Sequence, residues 1–170
     1  MTRPWRRRWI RPAQEKLKVG FLALLARRRR AASRALFVGV TGSSGKTTTT
    51  GLLLHVLEKV APVQAQIYGN LRLDLLANLG RLRPDTRYFV AEVAVTRIGD
   101  MRPAASLLRP DVAVVTKVGL DHYTAFRSRE AIAEEKGILV EHLSGDGLAV
   151  LNGDDPNVMG MAKRTRARIV

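Results

Sequence analysis

The chain has 170 residues, enough for one sizeable core and too few for a second full domain, and it has no cysteine, which excludes a disulfide framework and any thiolate metal site. Its formal charge of +14 is unevenly placed: residues 1–34 hold twelve of the 29 Lys and Arg and a single acid, Glu15, which gives them +11 and leaves +3 for residues 35–170. The globular part is therefore nearly balanced, and the basicity belongs to an appendage.

That appendage contains WRRRW and then EKLKVGFLALLARRRR. Its apolar stretch, Val19 to Ala26, is far shorter than the roughly 20 residues that span a bilayer, and no small-residue cleavage site follows it. Leu17, Phe21, Leu24 and Leu25 fall at helical spacing between basic residues, and Trp5 and Trp9 stand four apart. Two readings remain open: a helix lying on an anionic membrane, or a basic helix packed on its own domain or on a missing one. Binding of RNA or DNA is a weaker third, since a basic run without a reading module is only an electrostatic footprint.

From Ala35 the pattern changes to short apolar runs alternating with helical ones. LFVGV (36–40) suits a strand buried on both faces, and residues 45–60 read as a helix whose apolar face is Leu53, Val56, Leu57 and Val60. Helix over 71–82, strand over 88–95 (YFVAEVAV), helix over 99–108 and strand over 111–116 (DVAVVT) follow. A long helix over 128–143 has Ser128 as its N-cap and Glu130 in the first turn, and LAVLN (148–152) is a further strand. The final ARIV reads as the beginning of one more strand without a partner, so a fragment or a truncated relative of something longer is expected. Alternation of this kind predicts an α/β fold of three layers, a mostly parallel sheet with helices on both faces, over residues 35–170, preceded by the basic helical segment 1–34.

Between the first strand and its helix lies VTGSSGKTTTT (40–50). Gly42 and Gly45 let the backbone curl so that amides of the loop, including those of Ser43 and Ser44, point at phosphate oxygens, with the helix N-terminus behind them. Lys46 would reach the outer phosphates and Thr47 would offer a hydroxyl to magnesium, with Thr48 as a second phosphate contact. The strict Walker pattern needs glycine where Val40 stands, so the loop alone is an imperfect match. Three further groups follow in chain order. Glu92 lies inside an apolar strand, where a carboxylate is costly unless paired or metal-bound. His122 follows the third strong strand, and Lys136 lies mid-helix. Taken singly, these would be a structural ion pair, a surface histidine and a solvated lysine.

In series, TGSSGKTT, EVAVTRIGDM, RPDVAVVTKVGLDHYTAFRSREAIAEEKG and GLAVLNGDDP resemble the central ATP-binding domain of the Mur ligase family, most like its MurF branch, over roughly residues 35–165. That family's loop lacks the first Walker glycine, in keeping with Val40. The resemblance implies ATP and Mg2+ as cofactors, with Lys46 on the outer phosphates, Thr47 and Glu92 on one magnesium and His122 on a second. It implies that Lys136 is the lysine that carbon dioxide converts to a carbamate metal ligand, that Asn152 contacts adenine, and that Gly69 and Asn70 match a Gly-Asn pair of the MurF branch.

The implied reaction moves the γ-phosphoryl group of ATP to a substrate carboxylate and then lets an amine displace phosphate to form an amide. A carboxylate-bearing precursor and an amine would be the partners and the cytoplasm the setting, at the inner face of the membrane if the basic segment binds lipid. The sequence departs from the family at Lys117, where asparagine is usual, at Ala94 for glycine and at Asp100 for glutamate. Family members also carry domains for the UDP-sugar and the amine, so this stretch alone is expected to be inactive. Related ligases acting on folate, poly-γ-glutamate or lipid-linked precursors, a non-catalytic nucleotide-binding module and a nucleic-acid-binding P-loop protein are the competing readings.

Overall fold

The computed structural model describes residues 12–67, 72–120 and 123–170. Among them are six strands, β1 (Leu36–Thr41), β2 (Val63–Gln66), β3 (Tyr88–Glu92), β4 (Val112–Val115), β5 (Leu148–Leu151) and β6 (Arg168–Ile169). The helices are α1 (Pro12–Ala32), α2 (Lys46–Leu57), α3 (Arg72–Gly80), α4 (Met101–Leu108), α5 (Tyr123–Phe126), α6 (Arg129–Glu141) and α7 (Pro156–Met159), the last running into a 3-10 turn at Gly160–Arg164. The strands form one sheet in the order β2-β3-β1-β4-β5-β6, parallel throughout. After β3 the chain crosses from one side of β1 to the other, so the carboxyl end of β1 stands at the point where an open α/β sheet gathers its ligands.

Strand periodicity sends Phe37 to one face of the sheet and Val38 and Val40 to the other. On the first face Phe37 tilts against Phe89 with ring centroids 5.5 Å apart, and α3, α4 and α6 cover them with Leu75, Leu79, Leu108 and Leu139. On the second, Leu53 and Leu57 of α2 pack on Val38, Val40 and Val90. Ser128 caps α6 as its sequence position predicts, its Oγ accepting from the Ala131 amide at 3.1 Å.

The second half of α1 is seated on α3 and α4. Ala26 is fully buried, with Leu22 and Ala23 packed beside it. Arg29 donates to the Leu82 carbonyl at 2.7 Å. Arg30 donates to the carbonyls of Leu108 and Arg109, both at 2.6 Å, lies 3.6 Å above the Phe37 ring and pairs with Asp111 at 3.9 Å. Burial lowers the pKa of the Arg30 guanidinium, although Asp111 opposes the shift. Of the two open readings for the basic segment, packing on its own domain therefore holds for this half of the helix. Trp5 and Trp9 lie outside the described residues.

Three expectations change. β2 was not foreseen, because VQAQ is a short edge strand with only Gln66 buried. The apolar face of α2 is narrower than expected: Val56 and Val60 are 60% and 73% exposed. The inward-facing line instead runs through buried Thr50 and partly buried Leu53 and Leu57, and the helix ends before Val60. The C-terminal strand does have a partner, since β6 pairs with β5 and the Val170 amide donates to the Ala149 carbonyl at 2.9 Å.

Candidate active site

The loop from Gly42 to Gly45 joins β1 to α2 over the centre of the sheet. Gly42 has φ +147°, and a Cβ there would collide with Thr116 Oγ1, so position 42 requires glycine twice over. Gly45 is left-handed at φ +83° and precedes a helix whose N-terminus no side chain caps. The first-turn amides of α2 are thereby left for an anion. The loop is braced from the stretch that follows β4: the Ser43 amide donates to the Lys117 carbonyl at 2.7 Å, the Gly119 amide to Ser43 Oγ at 2.8 Å, and Thr116 Oγ1 to the Ser44 carbonyl at 2.6 Å.

Two lysines converge on this loop. Lys46 Nζ donates to the Gly42 carbonyl at 2.9 Å, and Lys136 Nζ, from α6, donates to the same oxygen at 3.1 Å. Lys136 is 1% exposed, so the solvated role a mid-helix lysine usually has does not apply. Its neighbour Glu135 explains how α6 is held there: its two carboxylate oxygens accept from the amides of Gly99 at 3.0 Å and Met101 at 2.7 Å, at the start of α4.

The carboxylate arrives through strand register. β1 and β3 are adjacent with Val40 opposite Glu92, so the end of β3 lies beside the start of the loop. Thr47 Oγ1 donates to Glu92 Oε2 at 2.8 Å, and Glu92 is 3% exposed. A hydroxyl and a carboxylate side by side offer the hard oxygen donors that suit magnesium, so the residues present fit that ion. The same contact answers the cost of burying Glu92 in an apolar strand.

The remaining expected residues fall as follows. Thr48 is exposed on the first turn of α2. Asn152 is half-buried one strand further along, donating to the Thr116 carbonyl at 2.7 Å while its Oδ1 accepts from the Asp154 amide at 3.0 Å. It is thus linked through Thr116 to the loop. His122, Gly69 and Asn70 lie outside the described residues. Of the departures, Lys117 is exposed while its carbonyl braces Ser43, and Asp100 accepts from Thr96 and from the Arg97 amide, folding the loop before α4 onto itself.

Sequence reasoning missed Thr116, Glu135 and Asp155. Asp155 caps α7 through the Asn157 amide at 2.9 Å and accepts from the Val118 amide at 2.8 Å, pinning the stretch after β4. Burial pushes its carboxyl up, yet bonds from the Val118, Asn157 and Val158 amides outweigh this and hold it below the usual carboxylate range. Thr116 ends a strand, Glu135 precedes a lysine and Asp155 precedes a proline, and only the last carries a local signal, as a helix N-cap.

The chain is similar to known proteins over most of its length. The Mur ligase middle domain matches residues 40–170. The UDP-N-acetylmuramoyl-tripeptide--D-alanyl-D-alanine ligase of Mycobacterium tuberculosis is 39% identical over 135 residues, covering 78% of this chain and 26% of that relative. Among solved structures, MurF from Acinetobacter baumannii superposes with a TM-score of 0.83 at 26% identity, covering 89% of this chain and 34% of that one. The MurF ligase of Thermotoga maritima in complex with ADP gives 0.79 at 34% identity, covering 89% and 36%. The chain thus spans between a quarter and about a third of the length of these relatives.

Proposed function

The chain belongs to the Mur ligase family, and from that premise we propose that it is the nucleotide-binding part of an ATP-dependent amide-forming ligase of MurF type, acting in the cytoplasm on peptidoglycan precursors. The observation that carries this reading is the meeting of Lys46 and Lys136 at the Gly42 carbonyl, beside the uncapped N-terminus of α2 and the Thr47–Glu92 pair. One substrate would be a muramoyl peptide presenting a carboxylate, the other a dipeptide presenting an amine.

In this reading the amides of Ser44 to Thr48, with the helix end behind them, bind the phosphates of ATP as substrate, while the Ser43 amide, expected to join them, is instead engaged by the Lys117 carbonyl. Lys46 lies within reach of the outer phosphates and neutralises charge that builds during transfer. The γ-phosphoryl group passes to the carboxylate oxygen, ADP leaves, and the amine then attacks the acyl carbon, expelling phosphate and losing a proton as the amide forms. Catalysis by such a site is chiefly positioning and electrostatics. Thr47 and Glu92 would hold one magnesium and His122 and a carbamylated Lys136 a second, and the metals supply charge neutralisation when bound. Carbamylation replaces a cation on Lys136 with an anion, which turns a residue that could not ligate a metal into one that can. Asn152 would meet the adenine.

The test is phosphate release and amide formation by the full-length protein with ATP, a UDP-muramoyl tripeptide and D-alanyl-D-alanine. Lys46→Ala is expected to lower turnover at least about a hundredfold. Undiminished amide synthesis in that variant would overturn the reading. Bicarbonate dependence that disappears in Lys136→Ala, with partial rescue by short carboxylic acids, is the expected signature of the carbamate.

A further inference from the structure

α1 presents two opposite faces. At 3.6 residues per turn, Leu17, Phe21, Leu24 and Arg28 fall on one line along the helix, and Leu22, Ala23 and Ala26 fall on the other side. The second set is seated on the domain. In the first, Leu17, Phe21 and Leu24 are 78%, 69% and 51% exposed. The domain's own packing accounts for one apolar face of α1 and leaves the other facing outward, and a contiguous exposed apolar line marks an interaction surface. Lys18 and Arg27 border that line on either side, both exposed. The line covers about two turns, roughly 10 Å, and no helix among the described residues is long and apolar enough to cross a membrane.

We propose that the outward face of α1 lies on an anionic lipid surface, with Leu17, Phe21 and Leu24 entering the boundary between headgroups and acyl chains and Lys18, Arg27 and Arg28 meeting lipid phosphates. Charge complementarity selects this occupant. Residues 1–34 carry +11 with one acid among them. A second copy of the chain would bring the same positive charge to the same face. A nucleic acid would match the charge but leave three large apolar side chains uncovered. A bilayer of anionic lipid satisfies both requirements at once, apolar inside and negative at the rim. Because the inner half of α1 is fixed to α3 and α4, the contact would hold the whole domain at a set angle to the surface rather than on a loose tether. The inference stands on the geometry of α1 and does not depend on the ligase chemistry.

The experiment is flotation of the full chain with vesicles of phosphatidylcholine alone and of phosphatidylcholine with phosphatidylglycerol, at low and high salt. Binding is expected only to the anionic vesicles, weakened by salt, and roughly tenfold weaker or more in the Leu17→Gln, Phe21→Gln, Leu24→Gln triple variant. The Tm of that variant should be unchanged, since its substituted side chains face away from the core. Arg27→Gln with Arg28→Gln should reduce both the affinity and its salt dependence. Equal binding to neutral and anionic vesicles, or none to either, overturns the proposal. So does a triple variant that binds as the parent does, which would assign the attraction to charge alone. A dimer in the parent that dissociates in the triple variant without any lipid binding would assign the face to a second copy.

Discussion

On one face of the sheet Phe37, Phe89, Ala113, Val115, Ala149 and Leu151 disappear beneath helices from both halves of the chain. On the other, Val38, Val40 and Val90 are buried under α2, while Val112, Val114, Leu148 and Val150 remain half-buried. The alternation along β4 and β5 is thus between fully and partly covered residues rather than between core and water. The two sides divide the work of the site: α2 brings the loop end, Lys46 and Thr47 from the thinly covered side, and α6 brings Lys136 from the thick one. Stability should accordingly be concentrated on the α6 side, and the phosphate loop should belong to the part of the molecule that opens at lower cost.

Four measurements sharpen or break that contrast. Phe37→Ala should cost about 3–5 kcal/mol by urea unfolding, because it removes a fully buried ring from beneath Arg30 and beside Phe89. Leu53→Ala, on the α2 side and only partly buried, should cost about 2 kcal/mol, the low end for such a change. Equal losses at the two sites would end the distinction. Asp155→Asn tests the pinned stretch after β4. A carboxyl held low in the native state contributes its full stability above the unfolded value of about 3.9 and loses it as pH falls through the lower native value. The parent should therefore lose more stability than the variant as pH falls below about 4. Val150→Thr, on the open side of β5, should change stability least, by about 0.5 kcal/mol or less, and a larger loss would mean that this face is covered in solution.

Most of the architecture was legible because β1, β3 and β4 are apolar runs bounded by turn residues, and such runs have few alternatives to a parallel sheet. What escaped has physical reasons. An edge strand written VQAQ carries no hydrophobic period, so β2 was invisible. Threonine obscured the buried line of α2, because Thr50 occupies a core position that sequence patterns reserve for aliphatic residues. In the site, the pairing of Thr47 with Glu92 depends on the β1–β3 register, which no local signal encodes, and the role of Glu135 depends on where α4 begins. Lys136 was singled out by resemblance, while its burial could be learned only from the packing of α6.

Arg30 carries one more consequence. It lies outside the region that defines the family, which begins at residue 40, yet its guanidinium covers Phe37, closes the carbonyl end of α4 and meets Asp111. The packed unit therefore begins upstream of the family match. A chain cut at the start of the family match would lose Phe37 and most of the central strand β1, together with the helix that seats Ala26 on the domain. Failure of such a piece to express would report a misplaced boundary rather than a defective active site.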